Sequence, residues 1–573
     1  MRPNANRTPV RGSTRRPVPA AKLLGPSDPA ETIRVSVYLR RNPAGSRDAI
    51  AWLASENAKL PARRHYLTGA AFDAAFGADP ADIQAVSQWI KSTNLRVLQQ
   101  SVTNRRLFVE GTIKNIEAAF GAHLSEYEHP TYGRFRGREG SLSVPNGMVG
   151  IIKAVFGLDT RHVGNPRYRR GNDISLAWNK SIAKHRGTGR SRTTILANLA
   201  NHWPGTFFPP QVAALYDYPA TDGAGQNIAV FVFNSDPHMG GYNRDALQTY
   251  FSAVLGGSMP TITDVVVHGP GNSPGPDTTA SGDKGDVSGE VMLDMCIVGA
   301  LAPKAHLFVY FTEFNTRGWV DALHDAITDK NNVSVISISY GNPEDDPDGL
   351  WTAAEIGVVN EAFEAASARG VTVCVASGDD GSGDGEKTGA HVDFPASSPY
   401  VWGVGGTKLV ATSSTAPEIA SEIVWNEDRL GDGAGGGGIS SLFTKPAYQD
   451  GVNVPPSINP PHQIGRGAPD AAAVADPITA LVVMHVNGKH LDPVGGTSAA
   501  APLWASLIVR INQAMGARCG FLNEVIYTKF ANGVLRDITV GNNGSYAAAT
   551  GWDACTGLGA PDGIALLKAL SDT

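Results

Sequence analysis

The sequence lacks several features that would assign it to a common class of protein. Its 573 residues contain no run of about 18 apolar residues, so we do not expect a transmembrane helix. The chain starts with a basic segment that lacks the apolar core of a signal peptide, so an ordinary secretory leader is not predicted. Cysteine is scarce, and the four cysteines show none of the Cys/Cys or Cys/His spacings that hold zinc.

The cysteines leave the cellular compartment open. Cys296 and Cys374 lie in apolar runs and are expected to be buried free thiols. Cys519 and Cys555 either form a disulfide or stay free, and the sequence does not decide between these alternatives.

Acidic residues are scarce in the first third of the chain. Residues 1–200 contain 31 of the 48 Lys and Arg but 14 of the 54 Asp and Glu, which gives +17, whereas the remainder carries −23. Nucleic-acid binding is one interpretation of the basic part. Because the charges are spread over a patterned, foldable region, we favour a basic domain that docks on an acidic one. Such docking should weaken as carboxylates are protonated.

Composition divides the chain into four regions. Residues 1–30 are rich in Pro and Arg and are predicted to be disordered. Residues 31–165 mix strand and helix patterns, including an apolar stretch over 147–159 that we interpret as helical, and predict an α+β domain of the ferredoxin-like kind. Residues 166–201 are polar and basic and predict an exposed linker. Residues 202–573 form the last region.

The last region alternates short apolar, β-branched runs with helix-like segments. Runs such as NIAVFVF, HLFVYF and VTVCVAS are typical of strands that are buried on both faces. The pattern predicts an α/β domain with a mostly parallel sheet and flanking helices.

A Gly-Gly-Thr turn places Ser498 at the start of an Ala-rich helix, in GGTSAAAPLWASLIVRIN. A serine at a helix N-terminus often serves only as a cap. Here the letters GTSxAAP resemble the nucleophile segment of subtilisin-like peptidases, and the helix N-terminus would favour developing negative charge. None of the 14 histidines stands at the head of a helix as the required base; His268 precedes a glycine but lies in a loop.

Carboxylates occupy the position where a histidine base is missing. Glu290 and Asp294, in SGEVMLDMCIVGALAP, are four residues apart and share one face of an otherwise apolar helix. Held close and partly buried, they would share a proton; a solvated acidic face is the alternative. Asp379 follows a strand in a Ser-Gly-Asp turn at the edge where α/β sites form. It could instead be a turn aspartate or part of a metal loop.

These motifs together resemble the sedolisins, or serine-carboxyl peptidases, of the kumamolisin type. The matching segments are SGEVMLD, VASGDDGS, HVDFPASSPYV, GAGGGGIS, RGAPDAAAVADP, GGTSAAAP, and RDITVGNN followed by TGWDACTGLG. They come in the family's order, and the likeness spans nearly the whole chain. It implies a full precursor: an inhibitory prodomain over 31–165, a linker over 166–201 with a processing site near Leu199–His202, and a subtilisin-like peptidase domain over 202–573.

The resemblance also implies catalytic roles. Ser498 attacks the scissile carbonyl, Glu290 takes and returns the proton, and Asp294 orients Glu290. Asp379, protonated, donates a hydrogen bond to the oxyanion. A carboxylate base is matched to acid conditions, and a carboxyl group can stabilise an oxyanion only while protonated, so we expect an acid-acting, self-activating endopeptidase zymogen.

The resemblance assigns substrate and metal residues as well. A glycine-rich stretch, Gly436, Gly437 and Gly438, would pair with substrate as an added strand, with a flexible loop as the alternative. Asp393 would form a wall of the substrate pocket and favour a cationic side chain, although a structural aspartate is equally open. One structural Ca²⁺ would be held by carboxylate and carbonyl oxygens of Asp537, Ile538, Ala549, Gly551 and Asp553.

The sequence departs from the family at two outer positions. Tyr340 stands where the family has a tryptophan, and apolar residues around Val232 stand where it has an outer glutamate. The departure leaves the catalytic residues intact but affects the expected pH optimum and rate.

The expected partners are protein or peptide substrates and the chain's own prodomain, with no nucleic acid or membrane and a monomeric state. We expect secretion, although no signal peptide is visible. Competing interpretations are an ordinary subtilisin with an unrecognised histidine, a non-catalytic pseudo-peptidase, and a nucleic-acid-binding fusion.

Overall fold

The computed structural model describes residues 6–171, 206–276, 287–412, 418–479 and 481–571. The predicted processing site near Leu199–His202 and most of the predicted linker lie outside these ranges.

The N-terminal part contains nine strands and four α-helices within residues 6–156. The strands are β1 (Arg7–Pro9), β2 (Lys22–Pro26), β3 (Thr32–Leu39), β4 (Arg96–Ser101), β5 (Arg106–Thr112), β6 (Leu124–His129), β7 (Gly133–Arg138), β8 (Ser143–Pro145) and β9 (Ile152–Phe156). The helices are α1 (Pro43–Asn57), α2 (Gly69–Phe76), α3 (Pro80–Ser92) and α4 (Ile113–Phe120).

An antiparallel sheet of order β4-β5-β3-β9 organises this part. The order is that of a ferredoxin-like domain, as the sequence predicts. The apolar face of β3, with Val35 and Val37, packs on the domain's own core. Its other face, with Ser36 and Tyr38, is also buried because it lies against the second domain. One face of the sheet therefore forms the core of its own domain, and the other face docks on the second domain.

The helix predicted over 147–159 is wrong. Residues Ile152–Phe156 form β9, which pairs with β3 along the sheet. A continuous apolar run has no periodicity that separates a helix from a buried strand, and here an open sheet edge decides.

The expectation that residues 1–30 are disordered is wrong for the described residues 6–30. β1 pairs with β8, and Arg7 donates hydrogen bonds to the carbonyl oxygens of Ala119 and Ser143. Arg15 is buried and forms an ion pair with Glu355 of the second domain, with 3.0 Å between Nη2 and Oε2. Arg7 and Arg15, two of the basic residues that suggested disorder, are thus held by partners elsewhere in the chain.

The second domain contains the remaining elements. Its helices are α5 (Pro209–Leu215), α6 (Arg244–Thr249), α7 (Ser288–Leu301), α8 (Thr316–Thr328), α9 (Ala353–Ala368), α10 (Thr497–Met515), α11 (Asn523–Lys529) and α12 (Gly563–Leu570). Its strands are β12 (Asn227–Phe233), β13 (Thr261–Val266), β14 (His306–Thr312), β15 (Val335–Ile338), β16 (Tyr340–Pro343), β17 (Thr372–Ala376), β18 (Asp393–Phe394), β19 (Trp402–Ala411), β20 (Ile419–Val424), β21 (Gly438–Thr444), β22 (Gly465–Ala468), β23 (Ala471–Val474), β24 (Leu481–Met484) and β25 (Leu491–Gly495).

An eight-stranded sheet of order β13-β14-β12-β15-β17-β19-β20, with β23 beside β19, forms the centre of this domain. All its pairs are parallel except β19 with β20. The strands are buried on both faces, as their apolar runs predict. Helix α10 packs against α7 and against β15, β17 and β19, which brings the helix that begins beside Ser498 next to the helix that carries Glu290.

The beginning of the predicted linker is not exposed. Asn165–Pro166, here β10, pairs antiparallel with β16, and Arg169–Arg170, here β11, pairs antiparallel with β25. Pro166, Arg167 and Tyr168 are buried. We call residues 165–171 the cleft segment, because it pairs with β16 at one end and with β25 at the other.

Candidate active site

Ser498 lies at the N-terminal turn of α10 and is fully buried beneath the cleft segment. Its Oγ donates a hydrogen bond to Glu290 Oε2 at 3.0 Å. Gly496, at φ +90°, lets the chain turn there; a Cβ at this position would lie 2.3 Å from Arg167 O and 2.5 Å from Asp379 Oδ2. Only glycine allows both oxygens to approach the start of this helix.

Glu290 and Asp294 occupy one face of α7, as their spacing predicts, and each is 1% exposed. Asp294 Oδ1 accepts a hydrogen bond from Ser339 Oγ at 2.8 Å, and Glu290 Oε1 has no hydrogen-bond partner among the described residues. Burial, followed by the neighbouring charge of Asp294, raises the pKa of Glu290 well above its usual range. Burial also raises the pKa of Asp294. Among the described residues no cation lies beside them, so burial and the like charges favour one proton shared by the two groups.

Asp379 follows β17 and faces the same point from the opposite side. Its Oδ1 accepts hydrogen bonds from the backbone N of Thr497 at 2.7 Å and from Thr497 Oγ1 at 2.9 Å. Burial raises the pKa of Asp379, while the charges of Arg169 and Arg167 oppose the rise. Oδ2 lies against Gly496, beside the carbonyl oxygen of Arg167.

The cleft segment presents a peptide bond to this group of side chains. The backbone N–H of Ser498 donates to Arg167 O at 2.7 Å. The Ser498 N–H and the Asp379 carboxyl group lie on either side of the Arg167 carbonyl oxygen. Two such groups around one carbonyl oxygen form an oxyanion hole. The strand pairing on both sides fixes the register, so the Arg167 carbonyl group is the one held against the backbone of Ser498.

The side chain of Arg167 enters a pocket that contains Asp393, the predicted wall residue. Arg167 Nη2 forms a hydrogen-bonded ion pair with Asp393 Oδ2 and lies 3.0 Å from Asp384 Oδ1. Asp384 is a site residue that the sequence reasoning missed. Its position five residues after Asp379, in the same acidic loop, was the available signal.

The predicted substrate-binding glycines are buried next to the site. A Cβ on Gly436 would lie 2.1 Å from Ser377 O, and one on Gly437 would lie 2.3 Å from Ala554 O. One on Gly438 would meet Val392 and Tyr546. These close approaches explain why glycine is present: the stretch packs against the turn that carries Asp379. Its pairing with substrate stays a prediction.

The predicted metal residues converge in one loop cluster. Asp553 Oδ2 accepts from the backbone N of Ala549 at 3.1 Å, and Asp537 Oδ2 accepts from the backbone N of Gly551 at 2.9 Å. Burial raises the pKa of Asp553, whose carboxyl group is almost inaccessible to water. Two carboxylates and neighbouring backbone carbonyls, including that of buried Ile538, are a donor set that fits Ca²⁺.

A second group of metal-type ligands lies at the β24–β25 hairpin: His485, His490 and Asp492. His485 Nδ1 accepts a hydrogen bond from the backbone N of Asn487, and Arg170 Nη2 lies 3.6 Å from Asp492 Oδ2. The guanidinium group of the cleft segment therefore supplies positive charge at this position.

Apolar residues surround Tyr340 and Val232, the two outer positions at which the sequence departs from the family pattern. Tyr340 is fully buried, and its ring meets that of Phe233 edge-on with centroids 4.9 Å apart. Burial, then the charges of Glu290 and Asp294, raises the pKa of Tyr340. Val232 is buried in the same core. On this side, aromatic rings thus lie next to the carboxyl groups of Glu290 and Asp294.

Comparisons with known proteins agree with this geometry. A family model described as "Pro-kumamolisin, activation domain" matches residues 19–161, and one described as "Subtilase family" matches residues 278–528. Kumamolisin from Bacillus sp. (strain MN-32) is 39% identical over 568 residues, which cover 98% of this chain and 95% of the relative. The chain belongs to the kumamolisin-type serine-carboxyl peptidases.

Other relatives of this peptidase support the same placement. Sedolisin from Pseudomonas sp. (strain 101) is 28% identical over 98% of this chain and 90% of its own. A crystal structure of Pseudomonas sedolisin, complexed with two molecules of pseudo-iodotyrostatin, aligns with a TM-score of 0.52 at 27% identity, covering 63% of this chain and 97% of the other. The peptidase is therefore a serine-type peptide hydrolase made as a zymogen with a prodomain.

Two remaining features of the peptidase can be stated from the described residues. All four cysteines are buried and free, so Cys519 and Cys555 are not paired in this structure. No helix in the described ranges combines the length and the apolar composition that crossing a bilayer requires.

Proposed function

We propose that this chain is an acid-acting endopeptidase precursor in which Ser498, Glu290, Asp294 and Asp379 carry out the chemistry. Ser498 Oγ attacks the carbonyl carbon of the scissile bond and its proton passes to Glu290. Asp379, protonated, and the N–H of Ser498 stabilise the oxyanion. Glu290 then delivers the proton to the leaving amine as the C–N bond breaks, and water hydrolyses the acyl-enzyme.

The observation that carries this proposal is the position of Arg167. Its carbonyl oxygen accepts the Ser498 N–H, while Ser498 Oγ is hydrogen-bonded to Glu290. The precursor thus holds one of its own peptide bonds as a substrate. We infer that the first self-cleavage separates Arg167 from Tyr168, and that the predicted cut near Leu199–His202 trims the product later.

Acid is required for two separate reasons. Asp379 must carry a proton to donate to the oxyanion, and the Glu290–Asp294 pair must hold one to function as a unit. Burial raises the pKa of all three groups, so the active protonation state extends from strongly acid toward mildly acid pH and is lost as pH rises through these raised values.

The prodomain is held by arginine–carboxylate pairs that acid weakens. Arg106 Nη1 lies 3.1 Å from Asp321 Oδ1, and Arg105 pairs with Glu361. Burial alone would raise the pKa of Asp321, but Arg106, together with His268, lowers it. A lowered carboxyl pKa means that docking is strongest above the ordinary value of about 4 and is lost as pH falls through the lowered pKa. Acid therefore loosens the prodomain while it activates the site.

Calcium has a structural role in this proposal. Asp537, Ile538, Ala549, Gly551 and Asp553 would hold one Ca²⁺ and tie the C-terminal loop to the sheet beside the glycine stretch. We further propose that the enzyme is secreted and acts as a monomer on protein or peptide substrates.

The test is acid activation of the purified precursor, followed by intact mass measurement over time. We expect an early fragment that starts at Tyr168, and no fragments from Ser498→Ala incubated alone. Cleavage of the Ser498→Ala precursor before Tyr168 when active enzyme is added would show that the bond itself can still be cut in this variant. Self-cleavage of Ser498→Ala at the wild-type rate would overturn the assignment of the nucleophile.

A further inference from the structure

The pocket that receives Arg167 contains two buried carboxyl groups rather than one. The side chains of Asp384 and Asp393 are 1% and 0% exposed. Both face the Arg167 guanidinium group, which contacts Asp393 Oδ2 and lies 3.0 Å from Asp384 Oδ1. We call these two side chains the carboxyl pair.

Glycine backbone forms the walls around the carboxyl pair. A Cβ on Gly341 would lie 1.8 Å from Asp393 Oδ1, and one on Gly378 would lie 2.8 Å from Asp384 Oδ1. Any side chain at these positions would fill the space that the carboxyl groups use. Neither wall contributes a charge, so the charge state of the pocket depends on the pair and on what enters it.

The hydrogen bonding of the pair is incomplete. Both oxygens of Asp384 and Oδ1 of Asp393 have no hydrogen-bond partner of standard geometry among the described residues. Buried polar atoms are normally satisfied, so unpartnered oxygens that face a pocket indicate a ligand or a shared proton.

The charged groups that face the pair are few. Arg167 is the cation inside the pocket, and it belongs to the segment that leaves on activation. The other charges acting on Asp384 come from Asp379 and Asp380, which are acidic. Asp380 is half-exposed and pairs with Arg169, also in the cleft segment. Removal of the cleft segment therefore leaves these carboxyl groups without a cation from the part of the chain that the structure describes.

Building on the proposed function, we propose that Asp384 and Asp393 form a proton-linked specificity pocket: the empty pocket retains a proton on the carboxyl pair, and an arginine or lysine side chain before the scissile bond displaces that proton into solvent as it binds. One proton leaves for one positive charge that enters, so the buried charge stays constant. A substrate with an uncharged side chain at this position binds without proton release.

The titration behaviour supports this inference. Burial raises the pKa of Asp384 well above its usual range, and it raises that of Asp393 to about 7, while the charge of Arg167 opposes both shifts. Loss of Arg167 removes the opposing charge, so the free pocket holds its proton to higher pH than the occupied one. Preference for a cation should therefore increase with pH, and at strongly acid pH the neutral pocket should accept uncharged side chains.

The experiment uses the enzyme activated from the full precursor and two peptides that differ only before the scissile bond, one with arginine and one with citrulline. Citrulline has the shape of arginine without its charge. We expect the ratio of kcat/KM, arginine over citrulline, to rise by about tenfold or more between pH 3 and pH 6. Asp384→Asn and Asp393→Asn should each flatten this rise, whereas Asp264→Asn, a distant carboxyl group whose pKa is also raised, should not.

A calorimetric measurement keeps the test independent of turnover. Product peptides that end in arginine or citrulline are titrated into the activated enzyme in two buffers of different ionisation enthalpy. We expect close to one proton released for arginine and none for citrulline, with the release lost in Asp384→Asn. A ratio that is constant with pH, or equal proton release by both peptides, overturns the inference. Failure of the proposed function looks different, because neither peptide would then be cleaved.

Discussion

Two sets of buried carboxyl groups in this chain behave in opposite ways. At the prodomain interface, Asp321 and Glu361 face arginines, and their pKa values are lowered although burial alone would raise them. At the active site, Glu290 and Asp294 are as buried as Asp321, no cation lies beside them among the described residues, and their pKa values are raised. In these two sets the sign of the pKa shift follows the arginine partner, whereas at Asp384 and Asp393 burial outweighs the charge of Arg167 and the pKa is raised.

The comparison explains how one change in pH can both release and activate the enzyme. Acid protonates the interface carboxylates once they separate from the arginines, because their pKa values then return to the ordinary range, and this favours the undocked prodomain. The same acid supplies the protons that the site requires. Asp325 is the exception at the interface, because burial outweighs Arg106 and raises its pKa.

The largest expected effect comes from removing Glu290, the base of the active-site pair. Glu290→Ala should lower kcat by about 10³-fold or more, because the serine proton has no acceptor and the pair no longer shares one. The measurement is steady-state hydrolysis of an arginine-containing peptide by the activated enzyme, or by the precursor processed in trans. Glu418→Ala, an exposed carboxylate, serves as the control and should retain full activity.

A smaller loss is expected at the oxyanion position. Asp379→Asn should lower kcat by about 10²-fold, because asparagine donates a hydrogen bond without matching a carboxylic acid. Since asparagine does not ionise, the part of the pH profile that falls with rising pH should move toward the limit set by the Glu290–Asp294 pair. An unchanged profile in Asp379→Asn, with exposed Asp450→Asn as the control, would assign the alkaline limb to another group.

The ion pairs at the prodomain interface can be weakened by a substitution in the prodomain. Arg106→Met leaves Asp321 buried without its main cation, which should destabilise docking by about 3 kcal/mol. We expect the Arg106→Met precursor to activate at a pH about one unit higher than the wild-type precursor does. The measurement is the amount of cleaved product across a pH series. Arg96→Met removes an exposed arginine of the same domain and should leave the activation pH unchanged.

The smallest effect is expected at the calcium loop, which belongs to neither set. Chelation of Ca²⁺, or Asp553→Ala, should lower Tm by about 5 °C, because a ligand that binds only the folded state stabilises it. Differential scanning calorimetry with and without added Ca²⁺ measures this. If added Ca²⁺ raised Tm equally in Asp553→Ala, the ion would bind elsewhere.

Much of the site could be predicted from local sequence. The spacing of Glu290 and Asp294 on an apolar helix, the turn before Ser498 and the strand before Asp379 each indicate a geometry that the structure bears out. These features are local: a helix has a fixed period, and a strand end in a parallel sheet points to one edge. Resemblance to a known family supplied their roles.

Long-range pairing was not predictable in the same way. Residues 6–30 and the cleft segment are basic and rich in turns, and by composition they were interpreted as disordered and exposed. Their order depends on Glu355, Asp384 and Asp393, which lie hundreds of residues away in the sequence. Composition measures what a segment could bury by itself, not the partners that meet it after folding.

The sequence by itself determined the two domains, the parallel sheet and the carboxyl groups available for acid chemistry, because periodicity and motif spacing are properties of neighbouring residues. Only the tertiary structure decided which carboxyl groups face a cation. It set Arg106 against Asp321, placed Glu290 beside Asp294, and placed Arg167 between Asp384 and Asp393. The physical reason is that an electrostatic environment is made by residues that are close in space, whatever their separation along the chain.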